Sequence, residues 1–407
     1  MLSSLAKGRS AVRNFLRAED PLRTLEAFKA MGIEIKDSSQ ASAVIPQNNE
    51  LIITGKGLNG LTEPKNAIDC GNSGTTMRLL SGVLAGQPFP TVLTGDSSLR
   101  SRPMKRIITP LAEMGAVIDS EEGYPPLKIK GGTLTPISYR SPVASAQVKS
   151  AVLFAGLYCE GITTVIEPDK SRDHTERMLK AGGVDIQVHN LEVRVKGIAS
   201  LNPMDMTVPG DLSSAAFFIV AGLITPGSDI LIKNTGVNPT RSGIIDILLA
   251  MGARIALENE REVSGEPVAD IHVVYSPMKG IGIGPEYVLR AIDEFPVLCI
   301  AAAKASGTTK ITGAGELRVK ESDRISSMAS ELGKMGVKVE ELEDGLIIEG
   351  REDLMPARTR SYGDHRVAMS MVVAGLTAKG ETTVEDTDCV NTSFPGFMDM
   401  VGKLIAT

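Results

Sequence analysis

Six copies of one mixed helix–strand unit, gathered as two domains of three, are what this sequence predicts. The class is α/β, with domains at 1–209 and 210–407. Three observations point there. Apolar, helix-like segments end in Gly8, Gly86, Gly161, Gly227, Gly307 and Gly380, at intervals of 66 to 80 residues, and each passes into a β-rich run. A second helix stops on a recurring signature: Met31-Gly32-Ile33, Met114-Gly115-Ala116, Gly182-Gly183-Val184, Met251-Gly252-Ala253 and Met335-Gly336-Val337. Glycine after the last helical turn is the expected stop. The length, 407 residues, suits two substantial cores. A six-copy solenoid is the alternative, but two closed groups of three fit the length better, with a hinge around Pro203 to Gly210.

Taken in order, the first copy is the irregular one. Met1-Leu2-Ser3-Ser4-Leu5 starts inside its helix, without the polar opener and preceding strand of the other copies. By the repeat logic a segment of roughly 20 residues is expected ahead of it. Copy two opens on Gly71-Asn72-Ser73-Gly74-Thr75-Thr76-Met77-Arg78, a polar turn feeding an apolar run. Asn72 or Ser73 can cap the helix, the glycines let a ligand approach the backbone, and Arg78 adds charge. Free N–H groups at the positive end of a helix form an anion site. The loop 95–106 then carries Arg100, Arg102, Lys105 and Arg106, four cations in seven residues. Copy three opens on Ser145-Ala146-Gln147-Val148-Lys149, and its second helix on Ser171-Arg172-Asp173-His174.

Copy four opens on Asp211-Leu212-Ser213-Ser214, and Asn238-Pro239-Thr240-Arg241 reads as a structural turn before a helix over 242–251. Copy five places Asp293-Glu294 before an apolar helix over 297–303. In a strand or turn these carboxylates point opposite ways, so one is expected to face a cleft. Glu316 to Arg324 holds six ionisable groups in nine residues. A helix starting near Glu321 would set Lys320 and Arg324 four apart on one face. A lysine beside a glutamate there can bind an anion and move a proton in one site. Copy six opens on Gly363-Asp364-His365-Arg366. Singly, each cluster is what a capped helix or solvated loop also looks like. Repetition at equivalent points argues instead for one anion-binding cleft and a small polyanionic substrate.

Composition excludes several classes. Hydrophobic residues make up 42% and charged residues 23%, as in soluble globular proteins, and no apolar run is long enough to span a membrane. With 43 basic against 49 acidic residues and 4% aromatics, a nucleic-acid partner is not expected. Cys70, Cys159, Cys299 and Cys389 lie far apart, which reads as reduced thiols in the cytoplasm. Four histidines without ligand spacing offer no metal site, and no Walker-A or G-x-G-x-x-G pattern calls for a nucleotide.

These motifs, in this order, resemble the enolpyruvyl transferases, and within them the 5-enolpyruvylshikimate-3-phosphate synthase family. The residues that carry the resemblance are Gly71-Asn72-Ser73-Gly74-Thr75, Arg102-Pro103, Ser145-Ala146-Gln147, Ser171-Arg172-Asp173-His174, Asp293-Glu294, Arg318 to Arg324, Asp364-His365-Arg366 and Ser393-Phe394-Pro395. Ser171 to Glu176 is similar to the second bacterial class. The resemblance implies a two-domain inside-out α/β barrel of six β-α-β-α-β-β units, the first truncated at its N-terminus. It implies transfer of the enolpyruvyl group of phosphoenolpyruvate to the 5-hydroxyl of shikimate 3-phosphate, with phosphate released. Asn72, Gly74, Arg102, Gln147, Arg324 and Arg366 would then hold phosphoenolpyruvate. Ser145, Ala146, Gln147, Ser171, Asp293 and Lys320 would hold shikimate 3-phosphate. Asp293 would take the hydroxyl proton, and Glu321 and Lys320 would serve in catalysis. No cofactor and no metal is implied; the partners are two small molecules, and the chain would act as a cytoplasmic monomer.

Three departures accompany the resemblance. The family's Asp-Lys-Ser-x-Ser-His-Arg opener would precede Met1, so the chain as given is expected to be weak or inactive. Ala146 and His174 stand where many members have Ser and Tyr, and Asn391 where many have Lys. The nearest alternative, UDP-N-acetylglucosamine enolpyruvyl transferase, carries a reactive cysteine in the loop before Arg-Pro, where Ser97 lies here. An RNA 3′-phosphate cyclase-like protein and a ligand-binding remnant without turnover are the others.

Overall fold

A computed structural model describes residues 1–37, 50–197 and 200–405. Internal contacts divide the chain into two units, Met1–Val208 and Pro209–Thr407.

Three sheets of the first unit share one strand order. In the second copy Ile68–Asp69 runs parallel to Pro90–Thr94, which pairs antiparallel with Tyr124–Lys130, and that strand with Val117–Glu121. Ser138–Arg140, Ile162–Ile166, Glu192–Lys196 and Ile186–His189 repeat the order. In the first copy Lys7–Arg13, Glu50–Lys56 and Glu34–Asp37 fill the last three places. Its opening place, empty on the sequence reading, is taken by Met206–Thr207, parallel to Val12 and Arg13. The first sheet is thus completed from the far end of the same unit.

The strands around each helix follow from the stops. Gly32, Gly115, Gly183, Gly252 and Gly336 have φ between 78° and 96°, a left-handed turn that a Cβ disfavours. The Gly74–Ala85 and Ala146–Gly156 helices are buried on nearly every side and pack on one another. At Gly82 a Cβ would lie 2.1 Å from the Ala151 carbonyl oxygen, so only glycine lets the two backbones meet.

The second unit has its own core, built on the Leu212–Ile224, Phe295–Lys304 and His365–Gly375 helices. Phe217 meets Phe397, and Phe218 meets Phe394 and Phe397, edge-on or tilted at centroid distances of 5.6 to 6.0 Å. Gly282–Ile283, Thr308–Ile311, Gly345–Glu349 and Lys338–Leu342 form a sheet in the first unit's order. Asp229–Gly236, Glu266–Val274 and Arg254–Val263 form a three-stranded sheet, and Arg358–Arg360 with Thr383–Glu385 a parallel pair.

Two elements carry the chemistry expected of this unit, the first in the turn form that was expected and the second with a later helix start. Asp293 and Glu294 lie in a single 3₁₀ turn, Ile292–Glu294, after an additional helix Pro285–Ala291. The helix expected near Glu321 begins at Arg324, because the Asp323 carboxylate accepts from the Ile325 and Ser326 N–H groups. Lys320, with ψ of −149°, therefore lies outside the helix and does not share its face with Arg324. Among the described residues no helix is long and apolar enough to cross a membrane.

Candidate active site

In the first unit the turn after Asp69 divides two tasks between neighbours. Ser73 caps the Gly74–Ala85 helix, its hydroxyl oxygen accepting from the Thr76 N–H at 3.2 Å. Asn72 is thereby left to bridge the loops: its Oδ1 accepts from Arg102 at 2.6 Å and its Nδ2 donates to Asp96 at 2.9 Å. Asp96 caps Ser97–Arg100 through the Leu99 N–H at 2.7 Å. Across the turn, Arg78 donates to Gln147 Oε1 at 2.7 Å, while Gln147 Nε2 donates to Thr75 Oγ1 at 2.8 Å. Gly74 sits between the guanidinium groups. A Cβ on it would be 2.9 Å from Arg78 Nη1 and 3.5 Å from Arg102 Nη1. Asn72, Gly74, Arg102 and Gln147 are therefore brought together, and two cations flank a helix N-terminus, the arrangement that binds small anions.

Arg78, read from the sequence as added charge at this anion site, joins the group, four places after Gly74 on the same helix. Thr75 belongs to it as well and was not singled out.

The Ala146–Gly156 helix begins beside this group. Ser145 caps it, accepting from the Val148 N–H at 3.4 Å, and Ala146 offers only a methyl group. Ser171 is buried, and its Oγ has no hydrogen-bond partner among the described residues. Lys149 does not join the anion group. It lies buried between Glu167 at 2.8 Å and Glu176 at 2.7 Å.

In the second unit the ionisable residues gather on Arg324, whose side chain is only 1% exposed. Its Nε donates to Asp364 Oδ2 at 2.7 Å and its Nη2 to Glu321 Oε2 at 2.6 Å. Its Nη1 reaches Asp293 Oδ1 at 3.9 Å. Burial alone would raise the Asp364 carboxyl, but Arg324 holds it below its ordinary value. Burial pushes the Lys320 ammonium below its ordinary value, with Asp293 opposing. Arg366 donates to the Asp293 carbonyl oxygen at 3.0 Å, and its own N–H is capped by Asp364 at 2.9 Å. Burial and the adjacent Arg366 bring His365 down to about 4, so it is neutral at pH 7. Asp293, Lys320, Glu321, Arg324 and Arg366 thus form one group. Glu294 faces the other way, buried and accepting from the Ser213 hydroxyl.

Arg318, expected in the same motif, is instead structural: it donates to Asp323 at 2.8 Å and to Glu341 at 2.9 Å. Among the described residues no group of three His, Cys, Asp or Glu is placed to hold a metal ion.

Residues 1–401 match the protein family described as EPSP synthase (3-phosphoshikimate 1-carboxyvinyltransferase). The chain belongs to the EPSP synthase family. A protein of Geotalea uraniireducens named 3-phosphoshikimate 1-carboxyvinyltransferase is 56% identical over 407 residues, 100% of this chain and 93% of that protein. One of the same name from Desulforamulus reducens is 52% identical, again over 100% of this chain and 93% of the relative. The solved structure of EPSP synthase from Acinetobacter baumannii superposes with a TM-score of 0.89 at 48% identity, covering 99% of this chain and 92% of that one.

A cysteine nucleophile finds no candidate in this EPSP synthase-family chain. Burial pushes Cys70 up to about 12, and raises Cys159, Cys299 and Cys389 as well. Ser97 opens the short helix before Arg102.

Proposed function

We propose that the chain transfers the enolpyruvyl group of phosphoenolpyruvate to the 5-hydroxyl of shikimate 3-phosphate and releases phosphate. The observation that carries this is the second-unit group: two part-exposed carboxylates, Asp293 and Glu321, and the Lys320 ammonium around one buried guanidinium. Addition–elimination needs a base for the hydroxyl proton, an acid for the methylene carbon and clamps for two anions. Asp293 takes the 5-hydroxyl proton as the oxygen adds to C2 of phosphoenolpyruvate, and C3 receives a proton delivered through Glu321 and Lys320. The same pair accepts a proton back from C3 as the C2–O bond to phosphate breaks.

On this reading Asn72, Gly74, Arg102, Gln147, Arg324 and Arg366 hold phosphoenolpyruvate, and Arg78 joins them through its bond to Gln147. Ser145, Ala146, Gln147, Ser171, Asp293 and Lys320 hold shikimate 3-phosphate. The buried, unpartnered Ser171 hydroxyl supports that assignment, since an unsatisfied buried polar group is costly unless a ligand meets it. The reading places the enzyme in the cytoplasm as a monomer, which sedimentation of the purified chain would test.

Calorimetry with shikimate 3-phosphate, followed by phosphorus NMR after adding phosphoenolpyruvate at stoichiometric enzyme, tests the function. Heat of binding, inorganic phosphate and an enolpyruvyl ether are expected. No heat with shikimate 3-phosphate, together with binding of a UDP-sugar, would overturn it.

A further inference from the structure

The ion triad inside the first unit is not used by the chemistry above. Lys149 is 2% exposed, Glu167 4% and Glu176 5%. Lysine is almost never this buried unless paired. Glu167 follows the Ile162–Ile166 strand, and Glu176 lies in the first turn of the His174–Ala181 helix. Both ends of the 167–176 segment are therefore tied to one ammonium, at 2.8 and 2.7 Å. Beside it the Ser150 and Thr175 hydroxyls share a 2.6 Å hydrogen bond, a second tie between the same two helices. Ser171 stands midway along the segment, its hydroxyl buried and unpartnered among the described residues.

One ammonium cannot offset two ionised carboxylates, and burial accordingly raises Glu176 above its ordinary value. A buried ion triad is also a weak source of stability compared with apolar packing. It is an effective way to fix a spacing, because each tie is directional and costly to leave half made. The helix that carries Lys149 and Ser150 is the one that begins at Ser145, Ala146 and Gln147.

We propose that Lys149, with Ser150 beside it, is a positioning residue: it clasps the 167–176 segment to the Ala146–Gly156 helix and so sets Ser171 at a fixed place relative to Ser145 and Gln147. The clasp shapes the subsite for the phosphorylated cyclic polyol, and in that respect it rests on the function proposed above. It acts on affinity for that substrate rather than on the chemical step.

Glu176→Ala in the full chain tests it, since the remaining Lys149–Glu167 pair is charge-balanced. Amide exchange over 168–173 is expected to speed up at least tenfold, and the Kd for shikimate 3-phosphate to rise at least fivefold. Exchange in the Gly74–Ala85 helix stays unchanged. Glu176→Gln, whose carboxamide oxygen still accepts from Lys149, restores both values to within about twofold. Unchanged exchange and affinity in Glu176→Ala overturn the clasp. If that variant does not fold, Thr175→Val decides: a threefold rise in exchange over 168–173 supports the clasp and no rise overturns it. A wild-type chain that gives no heat with shikimate 3-phosphate, while exchange rises in Glu176→Ala, sinks the substrate reading and leaves the clasp standing.

Discussion

Replacing Arg324 with Met should cost the second unit a large share of its margin of stability. The guanidinium is 1% exposed and bonds Asp364, itself 0% exposed, at 2.7 and 3.3 Å, with Glu321 at 2.6 Å. Met fills much of the volume but leaves the Asp364 carboxylate buried without its partner. Breaking a buried pair from one side costs about 3–5 kcal/mol. Domains have roughly 5–15 kcal/mol in all. With a urea dependence of about 1–3 kcal/mol/M, the midpoint should fall by roughly 1–5 M. The chain has no tryptophan, so far-UV circular dichroism is the readout.

The pH dependence separates this account from a packing defect. In the wild type the Asp364 carboxyl is held below its ordinary value, so its contribution is present above the unfolded pKa, about 3.9, and is lost only as pH falls through the depressed value. Without Arg324, burial raises the same carboxyl, and the variant gains stability as pH falls through the raised value. The gap between the two proteins should therefore narrow by about 1 kcal/mol or more between pH 7 and roughly 4.5, at about 1.4 kcal/mol per pKa unit. A deficit below about 1 kcal/mol at pH 7, or a gap that holds or widens in acid, would refute the reasoning.

Gly74→Ala should weaken phosphoenolpyruvate binding about tenfold, some 1.4 kcal/mol, because the Cβ would press on Arg78 Nη1 at 2.9 Å. Its melting temperature should change little, since Gly74 is the first residue of the helix, where the interior preference for alanine carries little weight; equal affinities would count against the anion site. Lys320→Arg should move the alkaline limb of shikimate 3-phosphate binding upward, because the lowered Lys320 loses its charge as pH rises through a value below the ordinary one; an unmoved limb in a titration series rejects that role. Asp293→Asn should lower kcat by roughly 10²–10⁴ while shikimate 3-phosphate still binds within about tenfold, as expected of a base; parallel loss of binding and turnover would make it a ligand only.

The repeat was readable because it rests on glycine. Helix stops at Gly32, Gly115, Gly183, Gly252 and Gly336 need the left-handed turn, and a chemical requirement of that kind leaves a mark at one position. Met206–Thr207 left no mark. A two-residue strand has no alternation to detect, and its partner lies far away in sequence at Val12 and Arg13. Lys149 shows the same limit in another form. It lies two residues after Gln147 in a helix entry, where nothing in the sequence marks it as inward-facing, and only the positions of Glu167 and Glu176 turn it there.

The helix entries explain why candidate site residues are legible in the sequence as groups but not always singly. A helix start leaves N–H groups to satisfy, and a ligand site needs side chains that are not consumed in doing so. At Asn72-Ser73 the tasks fall to different neighbours: Ser73 caps, and Asn72 is released to hold Arg102. At Asp364 one carboxylate does both, accepting from the Arg366 N–H and pairing with Arg324. At Asp323 the cap starts the helix at Arg324, and that start is what separates Lys320 from the helical face. Asn, Ser and Asp are interchangeable caps by their chemistry, so the order of letters cannot say which one is spent. The tertiary partner decides it, and that partner, whether Arg102 or Arg324, comes from another turn of chain.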